Sequence, residues 1–235
     1  MVLTFLLPLA DTLEPSRTAR IAAYALVLIP VVPMIHGFLL AVVGTATSRL
    51  LVLGAVAAAF GILLALLARP ENLEDGSGSL VWLALSLANL CRIIAAASVG
   101  VALARYVGSA GVALLIAAVA TASDLFSVFA GPTRALVDEG SAVLDLLLLV
   151  FPTFGSILGF GLGVSDFVFV ALFAAASRFL NLRYPATLLC ICFATFLAVT
   201  TGLLLERPLP ALPFIALAFV LVNGDLILAF LTRRP

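Results

Sequence analysis

Four aspartates stand inside or beside apolar runs, where carboxyl groups are rare: Asp124, Asp145, Asp166 and Asp225. A charged side chain at the centre of a bilayer costs at least about 2.5–3.5 kcal/mol on insertion scales, so such acids usually serve a function. Asp145 follows the polar stretch Val137-Asp138-Glu139-Gly140 and reads as interfacial. Asp225 lies about two helical turns before the Arg233-Arg234 pair, where it can snorkel or pair. Asp124, in TASDLFSVF (121–129), and Asp166, in GLGVSDFVF (161–169), lie deeper in consecutive apolar segments. Two carboxyls facing each other in low dielectric cannot both ionise, so one keeps its proton while the other stays charged. Such a pair activates water as a general base and protonates a leaving group as a general acid. Membrane acids also serve proton-coupled transport, and on the two aspartates alone the two chemistries stand level. Ser123, Ser127 and Ser165 add small polar neighbours, and the glycines before Asp166 let backbones approach or unwind.

The elements that must carry these acids are membrane helices. Hydrophobic residues make up 64% of the chain and charged residues 10%, with a mean hydropathy of +1.31, too little charge to cover a water-soluble surface. The long apolar runs predict an all-α, polytopic transmembrane bundle, because backbone groups in lipid must be satisfied within each segment. About seven spans are expected, over 20–44, 49–68, 80–105, 109–130, 154–178, 185–205 and 211–231. A short helix is expected over 141–151, with a turn and amphipathic segment over 131–140 and a polar loop over 71–79. The first ten residues are apolar but too short to cross, and they lack the basic start of a signal peptide. Arginines fall almost evenly on the two sides, so charge does not orient the chain.

Other chemistries find little support. The formal net charge is zero, which argues against nucleic acid as a partner. One histidine, His36, leaves no cluster for a zinc protease site and no accompanied Ser–His pair. Cys91, Cys190 and Cys192 lie in apolar runs and read as small buried residues. Arg92 and Asn89, one turn apart, fit either a buried ion partner or a bent helix reaching the interface. Trp82 and Tyr106 read as interface anchors.

Three motifs then recur in a known order. Ser123-Asp124-Leu125 is followed by VFAGPTRALVDEG (128–140). Gly163-Val164-Ser165-Asp166 is followed by Phe-Val-Phe and preceded by Phe151-Pro152 and Gly161-Leu162-Gly163. Pro210-Ala211-Leu212-Pro213 opens the last apolar run. Over about 120–225 the chain resembles the presenilin and signal peptide peptidase family of GxGD-type intramembrane aspartyl proteases, as a prokaryotic presenilin-like homologue. The resemblance implies residues 1–107 as N-terminal helices of about three spans, and 108–235 as a presenilin-like catalytic core of four spans with a PAL motif. Asp124 and Asp166 would be the catalytic pair, and Gly163, Ser165, Pro210, Ala211 and Leu212 would bind substrate. No cofactor or metal is implied. The partners would be transmembrane-helix protein substrates and membrane lipid, a homo-oligomer being left open. The location would be an integral, multi-pass one, in the cell membrane for a prokaryotic chain.

Departures from the family bear on activity. Ser123 stands where the family has Tyr, and Ser165 stands where its second motif has Gly. Taking Gly161 and Gly163 as the family glycines would leave two residues inserted before Asp166; the Phe-Val-Phe continuation favours the GVSD register instead. The family core has nine spans. Two further readings therefore stay open: an inactive presenilin-like protein that binds membrane proteins, and a proton-coupled transporter using the same acids.

Overall fold

A computed structural model describes residues 31–67, 78–131, 148–150, 161–205 and 209–232. Seven helices and one strand pair make up these residues. They are α1 (Val31–Val42), α2 (Thr47–Leu67), α3 (Gly78–Ala104), α4 (Ala110–Ala130), β1 (Leu148–Val150), β2 (Gly161–Gly163), α5 (Val164–Phe179), α6 (Tyr184–Leu205) and α7 (Leu212–Thr232). Five of the helices, α2, α3, α4, α6 and α7, are long and apolar enough to cross a membrane, as in an integral membrane protein. Asp145, the stub 1–10, most of the loop 71–79, the stretch 132–147 and Arg233-Arg234 lie outside the described residues.

The segment before Asp166 corrects two expectations. A short helix over 141–151 and a span over 154–178 were expected, but 148–150 and 161–163 are strands, and helix begins only at Val164. The strands pair antiparallel, with Leu148 opposite Gly163, Leu149 opposite Leu162 and Val150 opposite Gly161. Gly161 and Gly163 carry the highest backbone-entropy penalty for helix, and a paired strand satisfies their polar groups equally well. Leu149 and Leu162 are buried, so the pair is anchored in the bundle. α5 is consequently 16 residues long, just under the roughly 17 residues a membrane-crossing helix needs.

α5 is the central helix. Asp166, Phe167 and every residue from Val170 to Ser177 are buried, so it is enclosed on all sides, as an all-round apolar helix must be. α3 packs along it through Gly100, where an added Cβ would clash with the Val168 carbonyl oxygen and lie 2.8 Å from Ala171 Cβ. Small residues at such crossings let backbones approach where lipid supplies no hydrophobic force between helices. α2 packs on α3 in the same way through Gly54, Ala57 and Gly61, leaving its other side apolar and exposed.

Polar side chains tie the helix ends. Arg92, 6% exposed, donates to the Leu148 carbonyl of β1 at 2.8 Å and to Asn89 Oδ1 at 3.3 Å. This ties the strand pair to α3. Arg105 donates to the Val42 and Val43 carbonyls at the end of α1, where a cation also suits the helix dipole, and to Thr47 Oγ1 at the start of α2. Asp225 pairs with Arg183, at 2.5 and 2.8 Å. Beside that pair, buried Asn223 accepts from Arg183 N–H and donates to Thr187 Oγ1 and the Phe219 carbonyl, locking α7 against the α5–α6 turn. At the end of α5 far from Asp166, His36 Nδ1 lies 2.8 Å from Tyr184 Oη, and Arg178 sits over the Tyr184 ring.

The α3–α5 crossing is directly testable. Gly100→Ala lowers stability by about 1–3 kcal/mol through overpacking. Gly224→Ala, whose Cβ meets nothing within 4 Å, leaves it unchanged or raises it by up to about 1 kcal/mol. Unfolding in mixed micelles, followed by helical circular dichroism, reads both.

Candidate active site

Asp124 is placed by the alanine stripe of α4. The helix starts at Ser109, whose hydroxyl accepts the Val112 N–H at 3.3 Å, and buries Ala110, Ala113, Ala117 and Ala120. That stripe packs on α7, and Asp124 continues it one turn further. Its carboxylate therefore points at the start of α7, where Oδ2 accepts the Leu212 N–H at 3.0 Å.

The local sequence of α7 makes this bond necessary. The Phe214 and Ile215 N–H groups both bond to the Ala211 carbonyl, which makes Ala211 the residue before the first turn. Alanine has no side chain to cap a helix, and Pro213 has no N–H to satisfy. The Leu212 amide is left without an intrahelical acceptor, and the aspartate of another helix supplies one. The positive end of the α7 dipole adds to the attraction for a carboxylate. Pro210 and Ala211 are buried behind this contact.

Asp166 is placed by its own helix. It is the third residue of α5, and its Oδ2 turns back to accept the Gly163 N–H at 3.1 Å. This is one half of a capping box, since glycine has no side chain to return the bond. A Cβ at position 163 would sit 3.1 Å from that same oxygen, so glycine lets the carboxylate fold this close. Asp166 is only 8% exposed, and Asp124 acts on it electrostatically. Both carboxylates thus bond to helix N-termini, and Asp166 lies within the field of Asp124.

A cavity of about 540 Å³ opens beside them. Ser123, Asp124 and Ser127 of α4, Ser165 of α5 and Leu212 of α7 line one end. Among the described residues, Leu115, Ile116, Val119 and Ala120 of α4, with Phe169 of α5, line the rest. Of the residues singled out from sequence, Asp124, Ser165 and Leu212 line the cavity, while Gly163 and Asp166 form a bonded pair adjoining it through Ser165. Asp225 is engaged with Arg183. Among the described residues no group of three His, Cys, Asp or Glu side chains is set to hold a metal.

Two features escaped the sequence reading. The cross-helix cap of Leu212 by Asp124 had a signal, the uncapped Ala-Leu-Pro start of α7. The apolar wall had one too: Leu115-Val119-Ser123-Ser127 and Ile116-Ala120-Asp124 are adjacent rows at four-residue spacing.

Fold and site together define a multi-helix membrane protein with two acids at helix N-termini beside an apolar-walled cavity. Comparison with known protein families, with characterised proteins and with solved structures finds no match.

The capping role is separable from any chemistry. Asp124→Ala strands the Leu212 amide and lowers stability by about 0.5–2 kcal/mol, whereas Asp124→Asn keeps an acceptor and loses less. Unfolding midpoints of the two variants in the same micelles check this; equal losses would mean that the bond to Leu212 contributes nothing.

Proposed function

We propose that this protein is an intramembrane aspartyl endopeptidase of the presenilin and signal peptide peptidase type, which hydrolyses peptide bonds within transmembrane segments. The single observation that carries the reading is the meeting of three motifs. Asp124 bonds to the backbone of the Pro210-Ala211-Leu212 segment, within the electrostatic reach of Asp166 and beside a cavity. Three sequence-distant segments converging on two acids is what a dyad needs and what isolated membrane carboxylates do not require.

The chemistry follows from the pair. In a low-dielectric site the two carboxyls hold one proton between them. The charged carboxylate takes a proton from water as the water oxygen attacks the peptide carbonyl carbon. The protonated carboxyl donates to the carbonyl oxygen as it gains charge. Collapse of the tetrahedral intermediate breaks the C–N bond: a proton from the dyad goes to the leaving amine, and one hydroxyl proton of the intermediate returns to the dyad as the carbonyl re-forms. The products are a carboxylic acid and an amine, and the dyad ends with one proton, as it began. The N–H groups of Gly163 and Leu212 hold the acids in place, so little reorganisation is needed during reaction. A transmembrane substrate must unwind before its carbonyl is accessible. Extended backbone in β2, leading straight into the helix of Asp166, supports pairing of an unwound segment as a strand.

One observation favours a second reading. Both carboxylates already satisfy helix N-termini, so a binding protein without activity would keep them for structure alone. Ser165, at the cavity where the family has Gly, points the same way.

Purified protein in liposomes with a fluorogenic transmembrane peptide decides between them. Wild type cuts, while Asp124→Asn and Asp166→Asn, which keep the caps, each lose at least about a hundredfold. A folded wild type that binds the peptide but never cuts it, over a panel of sequences and pH values, supports the binding protein instead. Aspartate-dependent proton flux without cleavage would point to transport.

A further inference from the structure

The cavity changes character along its length, and the change is built into two rows of one helix. Ile116-Ala120-Asp124 and Leu115-Val119-Ser123-Ser127 both pass from apolar to polar at the same level of α4. Among the described residues, every polar side chain on the cavity wall lies at the Asp124 end. The other end holds Leu115, Ile116, Val119, Ala120 and, from α5, Phe169. Water and a polarised carbonyl suit the first end, and neither suits the second.

The dimensions fit a peptide. From Asp124 to Leu115 the helix rises about 13 Å at about 1.5 Å per residue. An extended chain covers that distance in about four residues at about 3.3 Å each, with alternate side chains on one face. At about 540 Å³ the cavity lies within the usual range of about 300–1,000 Å³ for ligand pockets, far larger than one water and a carbonyl need.

The geometry points to a specificity subsite: the Leu115–Ala120 wall and Phe169 accept a bulky apolar side chain of the substrate, on one side only of the bond that is hydrolysed. The subsite rests on the proteolytic reading above and adds the substrate feature it selects. Discrimination has a known scale, since a methylene more or less in an apolar pocket changes specificity by about 10–200-fold. Val119 is 57% exposed, so replacing it with a larger side chain fills the cavity without disturbing the core. Leu115, also exposed, can be shortened equally safely.

The test is a positional scan of the transmembrane peptide in liposomes, with Phe, Leu, Ala, Ser and Asp at each of three positions on either side of the cut. On one side, Phe and Leu are cleaved at least about tenfold faster than Ala, Ser or Asp. In Val119→Trp that ratio falls at least about tenfold, and in Leu115→Ala it shifts toward Phe over Leu. Cleavage indifferent to side-chain size on both sides, or an unchanged ratio in Val119→Trp, overturns the subsite and leaves proteolysis standing. A second readout separates the two failures. The same peptide with p-benzoylphenylalanine at each position is photocrosslinked and the adduct mapped by mass spectrometry. Crosslinks from one side concentrated on 115–120 without any cleavage keep the apolar subsite and reject proteolysis. Crosslinks scattered over the helices, without cleavage, reject both.

Discussion

In lipid, the first N–H groups of a helix have no water to bond, and each unsatisfied group costs several kcal/mol. The start of α7 meets this constraint in an acute form, because Ala211 offers no cap and Leu212 follows it with an orphan amide. The carboxylate of Asp124 answers it from 88 residues away. That bond sets the rotation of α4 against α7 and brings the Pro-Ala-Leu segment to the acid. α5 meets the same constraint locally, with Asp166 bonded back to Gly163. The two acids are therefore held together by the same requirement that ends helices in a membrane, and any reactivity is added to groups the fold already needs.

Holding Asp166 requires more than its cap. α5 is a short helix surrounded by the bundle, so its depth is set by its neighbours. Gly100 lets α3 approach until backbone meets backbone. Arg92 reaches from α3 to β1, and β1 pairs with β2, which runs directly into α5. At the other end, Arg183 and Asn223 fasten the α5–α6 turn to α7, so the helix bearing Asp166 and the helix capped by Asp124 are tied at both ends. A bulky side chain at position 100, or a missing acceptor at 223, would thus be felt at the acids without touching them.

Run length and hydropathy made most of the helices legible. The expected spans 49–68, 80–105, 109–130, 185–205 and 211–231 correspond to helices at Thr47–Leu67, Gly78–Ala104, Ala110–Ala130, Tyr184–Leu205 and Leu212–Thr232. The error fell on the approach to Asp166, where an apolar stretch with glycines was read as a longer helix. Apolarity predicts burial, and a buried strand pair is as apolar as a helix; only the partner strand distinguishes them. For Asp225, sequence offers the terminal arginines as nearby basic residues, which lie outside the described residues; the antiparallel return of α7 brings it to Arg183, a partner that no local reading supplies.

By itself the sequence determined that this chain forms membrane helices, roughly where five of them begin and end, and which acids stand where acids are costly. These are local properties, set by the apolar content of each run and by the backbone's need for bonds within it. Only the tertiary structure decided that the Asp124 carboxylate bonds to Leu212, that Asp166 lies within its field, that strands precede α5, and that a cavity polar at one end and apolar at the other opens beside them. Those facts depend on the depth and rotation of one helix against another. Side-chain contacts between segments far apart in the chain set both, and no single run of residues encodes them.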